Sequence, residues 1–194
     1  MKVIGLTGGI GSGKSTLSRL LDLMGIPVYI ADTESKRLTE SSPVIRDKLT
    51  EQFGKDLYAE GKLNKALLAS LIFKSESHRN YVNSVIHPIV RKDFERWKTQ
   101  QSPSPVVVIE TALLFETGYV NSVDVSVTVA APEELRIRRV ELREGWSRAS
   151  IVSRIQSQFP EEEKIRRSDY VIHNDGKQAL IPQVERLVDT ILQF

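Results

Sequence analysis

Near the start of the chain, four glycines, a lysine and two serines stand close together in Gly8-Gly9-Ile10-Gly11-Ser12-Gly13-Lys14-Ser15. Gly8, Gly13, Lys14 and Ser15 fall at the G-x-x-x-x-G-K-S spacing of a phosphate-binding loop. Each residue type has a task in that chemistry. Glycines let the backbone turn tightly around an anion with its N–H groups pointing inward. A helix that opens at the loop presents the positive end of its dipole to the same anion. Lys14 can reach the β- and γ-phosphates of a nucleoside triphosphate, and the Ser15 hydroxyl is the candidate ligand for Mg²⁺. The expected phosphate contacts are therefore Gly8, Gly9, Gly11, Ser12, Gly13, Lys14, Ser15 and Thr16. The four fixed positions arise by chance in roughly 1% of chains of this length, so the flanking elements decide whether the match has meaning.

Those elements have the required pattern. Lys2–Thr7 reads as a short buried strand running into the loop. After it, Leu17, Leu20, Leu21 and Met24 recur on one face of a helix, which Gly25 and Pro27 bring to an end. Val28–Ala31 reads as a second strand. Strand, loop, helix and strand make a βαβ unit, so the two strands should run parallel. Asp32 stands at the C-terminal end of the second strand, the edge where open parallel sheets bind ligands. A carboxylate there can accept the proton of an attacking hydroxyl. It can equally cap the helix that follows, and the two roles are compatible.

From about residue 33 to 101 the signals are helical, with no convincing strand. Ser42-Pro43 reads as an N-cap with proline at the first helical position, and Gly54 closes that helix. Asn64 can cap a helix carrying Leu67, Leu68, Leu71 and Ile72. His87-Pro88 is expected to break the chain and open another helix, with Val90, Phe94 and Trp97 on one face. Beyond the loop Ser102-Pro103-Ser104-Pro105, the run Val106–Ile109 is apolar throughout, as in a strand covered on both faces, and ends in Glu110. Val125–Ala130 and Tyr170–Ile172 are the fourth and fifth strands. Pro132, Glu133 and Glu134 open an arginine-rich helical stretch reaching about residue 167. Leu180, Ile181, Val184, Leu187, Val188 and Ile191 mark the last helix. The expected fold is a three-layer α/β core with a five-stranded parallel sheet. The nucleotide-binding core is expected at 1–32, 102–137 and 168–194, a helical acceptor-binding region at 33–101, and a lid at 138–167.

Composition narrows the function class. The 194 residues are 40% hydrophobic and 27% charged, as in soluble globular proteins. Cysteine is absent, which removes disulfides and thiolate metal sites and suits a reducing compartment. Apolar runs are too short for a membrane span, and the first residues already read as a strand with no leader ahead of them. A cytoplasmic protein is expected. A net charge of +2 argues against a dedicated nucleic-acid binder. No Asn-Lys-x-Asp run specifies guanine, which argues against a GTPase. A small chain with a helical insertion to seat a second substrate, and arginines to close over phosphates, suits a kinase.

Several stretches, taken together and in order, resemble the dephospho-coenzyme A kinases. They are Leu6–Thr16, Ala31-Asp32, Ile86-His87-Pro88, Leu113-Leu114-Phe115-Glu116, Arg139 with Arg143, Ser147-Arg148, Gln158, and Asp169–Gly176. The resemblance implies a P-loop fold with ATP and Mg²⁺, and transfer of the γ-phosphoryl group to the ribose 3′-hydroxyl of dephospho-CoA. It implies that Asp32 is the catalytic base, with Lys14 and Arg143 in the catalytic set. Arg139 and Arg143 would contact ATP, Arg143 either clamping charge on the phosphates or stacking on adenine. On spacing alone, Arg136, Arg139 and Arg143 share a helix face with Glu141 and Glu144 interleaved, which also suits a solvated, salt-bridged surface. Arg136 and Arg138 are read that way. His87, otherwise a helix-start residue, is implied to face the acceptor, as are Leu113 and Glu116; periodicity alone would put Leu113, Leu114 and Phe115 in the core. Asn174 and Gly176, sufficient by themselves for a turn, are implied to contact adenine, and Arg148 and Gln158 to belong to the lid.

One stretch departs from the family pattern. Where the family has Asp-x-Pro before the paired leucines, this chain has Glu110-Thr111-Ala112. Glu110 keeps the carboxylate on a longer arm, and Ala112 lacks proline's fixed φ. Two other readings stay open on the residues alone. One is a kinase for a nucleoside, nucleotide or other small alcohol. The other is a nucleotide-responsive switch with no acceptor of its own.

Overall fold

The computed structural model describes residues 1–192; residues 193 and 194, included above in the expected core, lie outside the described residues. The strands, in chain order, are β1 (Lys2–Thr7), β2 (Val28–Ile30), β3 (Tyr58–Ala59), β4 (Lys62–Leu63), β5 (Val106–Glu110), β6 (Val125–Ala130) and β7 (Tyr170–His173). The helices are α1 (Lys14–Leu23), α2 (Ala31–Ser41), α3 (Pro43–Phe53), α4 (Lys65–Lys74), α5 (Glu76–Gln100), α6 (Glu133–Glu144), α7 (Arg148–Gln156), α8 (Glu161–Arg167) and α9 (Leu180–Leu192).

Five strands form one sheet in the order β2-β5-β1-β6-β7, and every pairing in it is parallel. The register runs from Lys2↔Val106 to Leu6↔Glu110 on one side of β1 and from Ile4↔Val125 to Thr7↔Thr128 on the other. β5 is buried at every position, as its unbroken apolar run requires when both faces of the sheet are covered. The core of this unit packs Leu17 and Leu21 of α1 and Val184, Leu187 and Val188 of α9 against Ile4, Leu6, Val127, Val129 and Ile172. Each such side chain contributes about 1.5–3 kcal/mol of transfer free energy. That burial holds β1 rigid up to Thr7, where the loop begins.

The chain divides into two compact units, Met1–Ile30 with the chain from Gln100 onward, and Ala31–Thr99. In the second unit the expected caps are present. The Ser42 hydroxyl accepts from the Ile45 amide at 3.4 Å, and Asn64 Oδ1 accepts from Leu67 at 3.0 Å. Two expectations fail there. β3 and β4 pair antiparallel, Tyr58↔Leu63 and Ala59↔Lys62, where only helix was expected. The turn between them has φ of 51° at Glu60 and 77° at Gly61, the two positive values that match a hairpin to the strand twist.

The second failure is at His87-Pro88. α5 runs unbroken from Glu76 to Gln100 with Pro88 in its interior. Val82, Val85 and Ile86 before the proline, and Val90 and Phe94 after it, are all buried. Their packing outweighs a proline cost of about 3 kcal/mol. The carbonyl that loses its donor is that of Ser84, and Ser84 and Pro88 both lie on the exposed side of the helix. Among the described residues no helix is long and apolar enough to cross a membrane.

Candidate functional site: a phosphate-binding loop

The loop spans the gap between Thr7 and Lys14. Gly13 is the N-cap of α1, in left-handed conformation with φ 99° and ψ 22°, and makes no side-chain cap. A Cβ at Gly13 would overlap Asn174 Nδ2, so glycine is required there for both conformation and space. The first turn of α1 carries no acidic residue. An uncapped helix N-terminus with a glycine entry leaves its first N–H groups for an external anion. Ser15 and Thr16 are exposed in that same turn.

The remaining contacts shape the loop itself. Ser12 N donates to Gly9 O at 3.1 Å, closing a tight turn. Lys14 Nζ donates to Gly8 O at 2.8 Å and to Gly9 O at 3.3 Å, so its ammonium lies over the loop. The Ser12 carbonyl is a meeting point. It accepts from Asn174 Nδ2 at 2.8 Å and from Arg139 Nη1 at 3.5 Å, while Arg139 Nη2 donates to Asn174 Oδ1 at 3.3 Å. Asn174 is set in turn by its own amide, which donates to Ala130 O at 2.8 Å as β7 ends. Ile10 N donates to Gln158 Oε1 at 3.2 Å. The hydroxyls of Thr7 and Ser12 are buried without a hydrogen-bond partner at the root of the loop. Arg139, Asn174 and Gln158, distant in sequence, thus gather around the glycines.

Other expected residues stand elsewhere. Arg143 is exposed, with Nε 2.7 Å from Glu144 Oε1, and Arg148 Nη2 lies 2.5 Å from Glu134 Oε1. Gly176 has φ 79° in an exposed turn. Asp32 and His87 belong to the second unit. Asp32 is exposed in the first turn of α2, two positions past the end of β2. His87 lies inside α5 rather than at a helix start. Burial, helped by the Arg91 charge, lowers its pKa, so the imidazole is neutral at pH 7.

The segment after β5 is tied down by charge. Leu114 and Phe115 are buried and Leu113 is half-buried. Glu116 Oε1 lies 2.9 Å from Lys164 Nζ and accepts from Phe159 N at 2.8 Å. Lys164, fully buried, also donates to Ala112 O at 2.6 Å. Glu110 is buried too, with Oε2 accepting from Ser18 Oγ at 2.5 Å. Arg136, expected on a solvated surface, is only 4% exposed. Its partners are Glu161 and Glu133, and burial raises the Glu161 pKa against the lowering effect of Arg136. An arginine-rich helix with interleaved glutamates carries no internal signal of which arginine turns inward, and Gly9 and Gly11 come opposite Arg136 only in the folded chain.

Among the described residues no group of three or more His, Cys, Asp or Glu could hold a metal ion. Mg²⁺ at a triphosphate needs no such cage. It keeps several waters and is held by substrate phosphates with one or two protein oxygens. The exposed Ser15 hydroxyl beside the loop is a hard oxygen donor of that kind, so the residues present fit the ion.

The sequence model of the dephospho-CoA kinase family matches residues 2–179. A Bacteroides fragilis protein named dephospho-CoA kinase is 45% identical over 190 residues, covering 98% of this chain and 93% of that relative. A crystal structure from Thermus thermophilus superposes with a TM-score of 0.85 at 34% identity, covering 99% of this chain and 96% of its own. A dephospho-CoA kinase structure from Campylobacter jejuni has a TM-score of 0.67 at 24% identity over 98% of this chain and 96% of its own, a likeness of fold.

Proposed function

The chain belongs to the dephospho-CoA kinase family, and from that premise we propose how its residues divide the work. The reaction is ATP-dependent phosphorylation of dephospho-CoA, a step of coenzyme A biosynthesis. The observation that carries the division of labour is the uncapped N-terminus of α1 behind a glycine loop. The amides of Gly9, Gly11 and Gly13, with Ser15 and Thr16, cradle the ATP phosphates around the turn that Ser12 closes, and Lys14 moves from the loop carbonyls onto the β- and γ-phosphates. Ser15 would hold Mg²⁺, which when bound supplies positive charge to the phosphates. Asn174 and Gly176 border adenine. Arg139 braces Asn174 and the loop.

Asp32 accepts the proton of the ribose 3′-hydroxyl as that oxygen attacks the γ-phosphorus. The bond to the bridging oxygen breaks, and ADP leaves with the electron pair. His87, in neutral form, and Leu113 serve the acceptor side, where Glu116 acts by fixing the loop that carries Leu113. Within 138–167, the part ahead of α8 closes as a lid that excludes water from the phosphoryl group, while α8 stays anchored through Glu161 and Lys164, and Arg143, held by nothing stronger than an exposed neighbour, is free to swing onto the developing charge. Coenzyme A made in this way is released to the cytoplasm.

Purified protein with Mg²⁺ and ATP should convert dephospho-CoA to CoA with one ADP per product, while AMP and adenosine stay unphosphorylated. If dephospho-CoA is inert and another alcohol reacts, the acceptor assignment fails. Lys14→Met should lower kcat by about 10²–10³-fold, the usual cost of one oriented charge donor, in the same coupled ADP assay. A Lys14→Met enzyme with unchanged kcat would remove lysine from the catalytic set.

A further inference from the structure

A guanidinium as buried as that of Arg136 is rare unless it is paired and packed for a purpose. Its surroundings supply the purpose. A Cβ added to Gly9 would overlap Arg136 Nη1 and lie 3.2 Å from Cζ, so the guanidinium packs directly against the loop backbone. A Cβ added to Gly11 would overlap the carbonyl oxygen of Arg136 and lie 2.9 Å from its carbonyl carbon. One residue therefore backs both glycines that flank Ile10, with its side chain on one and its main chain on the other. Ile10 is seated beside them on the apolar cluster of Ile137, Val140 and Ile151.

The charge is held from the far side. Arg136 Nε lies 3.3 Å from Glu161 Oε2, and Nη2 lies 3.7 Å from Glu133 Oε2. Glu161 is itself fixed, its Oε1 accepting from Ala131 N at 3.1 Å. Nε and Oε2 are out of hydrogen-bond alignment with each other, so the pair acts through charge and packing. A glycine-rich loop has many conformations, and ordering it when ligand binds costs entropy. A rigid backing removes that cost beforehand.

We infer that Arg136 is a positioning residue for the phosphate loop: packed behind Gly9 and Gly11 and held by Glu161, it keeps the loop amides set for a triphosphate. This rests on the reading of the loop as the ATP site. It also extends the donor site to α8, through Glu161.

The test pairs Arg136→Met with Glu161→Gln, so that no buried charge is left stranded, and adds Arg136→Lys. ATP and ADP are titrated by calorimetry, KM is measured for both substrates, and thermal melts report folding. The double variant should melt near the wild-type temperature, bind ATP and ADP about tenfold more weakly, and keep its KM for dephospho-CoA; lysine should recover part of the loss. A folded double variant with wild-type ATP affinity overturns the inference. So does a KM for dephospho-CoA that rises together with the KM for ATP as the melting temperature falls, which marks a role in folding alone. Wild-type protein that fails to bind ATP overturns the loop reading itself, and this inference with it.

Discussion

Asp32→Asn should lower kcat for CoA formation by about 10²–10⁴-fold, the range that a positioned general base supplies, and leave ATP affinity unchanged. The substitution is chosen to separate two roles. Asp32 sits in the first turn of α2, where a carboxylate also favours the helix. Asparagine is as good a helix-cap residue as aspartate and has the same shape, so the fold should tolerate it. What it lacks is a basic oxygen to take the 3′-hydroxyl proton. Steady-state kinetics with saturating ATP, calorimetric titration of ATP and a melting curve read the three properties separately. If the Asn variant turns over at the wild-type rate, the base is another residue. If turnover and melting temperature fall together, Asp32 serves the helix and not the reaction.

Lys164→Met should be the most destabilising of the single substitutions considered. The lysine is fully buried and serves two acceptors, Glu116 Oε1 at 2.9 Å and Ala112 O at 2.6 Å. Methionine fills the space but leaves the Glu116 carboxylate buried without its cation, and Oε2 of that group already has no hydrogen-bond partner. Breaking one side of such a pair costs about 3–5 kcal/mol. At this chain length each kcal/mol moves the melting temperature by about 2–4 °C, so a fall of about 10 °C is expected. Adding Glu116→Gln should restore most of it, because a neutral amide does not need the cation. A shift of only a degree or two in the single variant would show that the pair is solvated in solution and contributes little.

The parts of the fold visible in the sequence are those fixed by local rules. The five parallel strands are short apolar runs bounded by turn residues, and each lies where the pattern puts it. Ser42 and Asn64 cap helices because their side chains reach amides three residues on. The hairpin of β3 and β4 was invisible because each strand is two residues long, too short to show alternation. Pro88 misled because a strong local rule lost to packing along α5 on both sides of it. Around the loop, the type of motif was legible but its backing was not. Asn174 meets Ser12 across 162 positions of chain, and nothing short-range predicts that pairing; the family resemblance singled out Asn174 as an adenine contact, not as a partner of Ser12. Arg136, Glu161 and Lys164 look like ordinary members of a charged helical stretch. Their burial depends on partners that only the folded chain brings near.

α8 is seven residues long, yet it carries Glu161 and Lys164 three positions apart, on nearly one side of the helix. The first side chain is anchored to Arg136 behind the glycines, and the second to Glu116 and Ala112 in the segment after β5. Both anchors are buried, and a helix so short behaves as a single stiff piece. It works like a crossbar with a bolt at each end. α8 cannot slide or rotate without straining both bolts, so the two loops share one mechanical reference, and their spacing is set by the pitch of a helix.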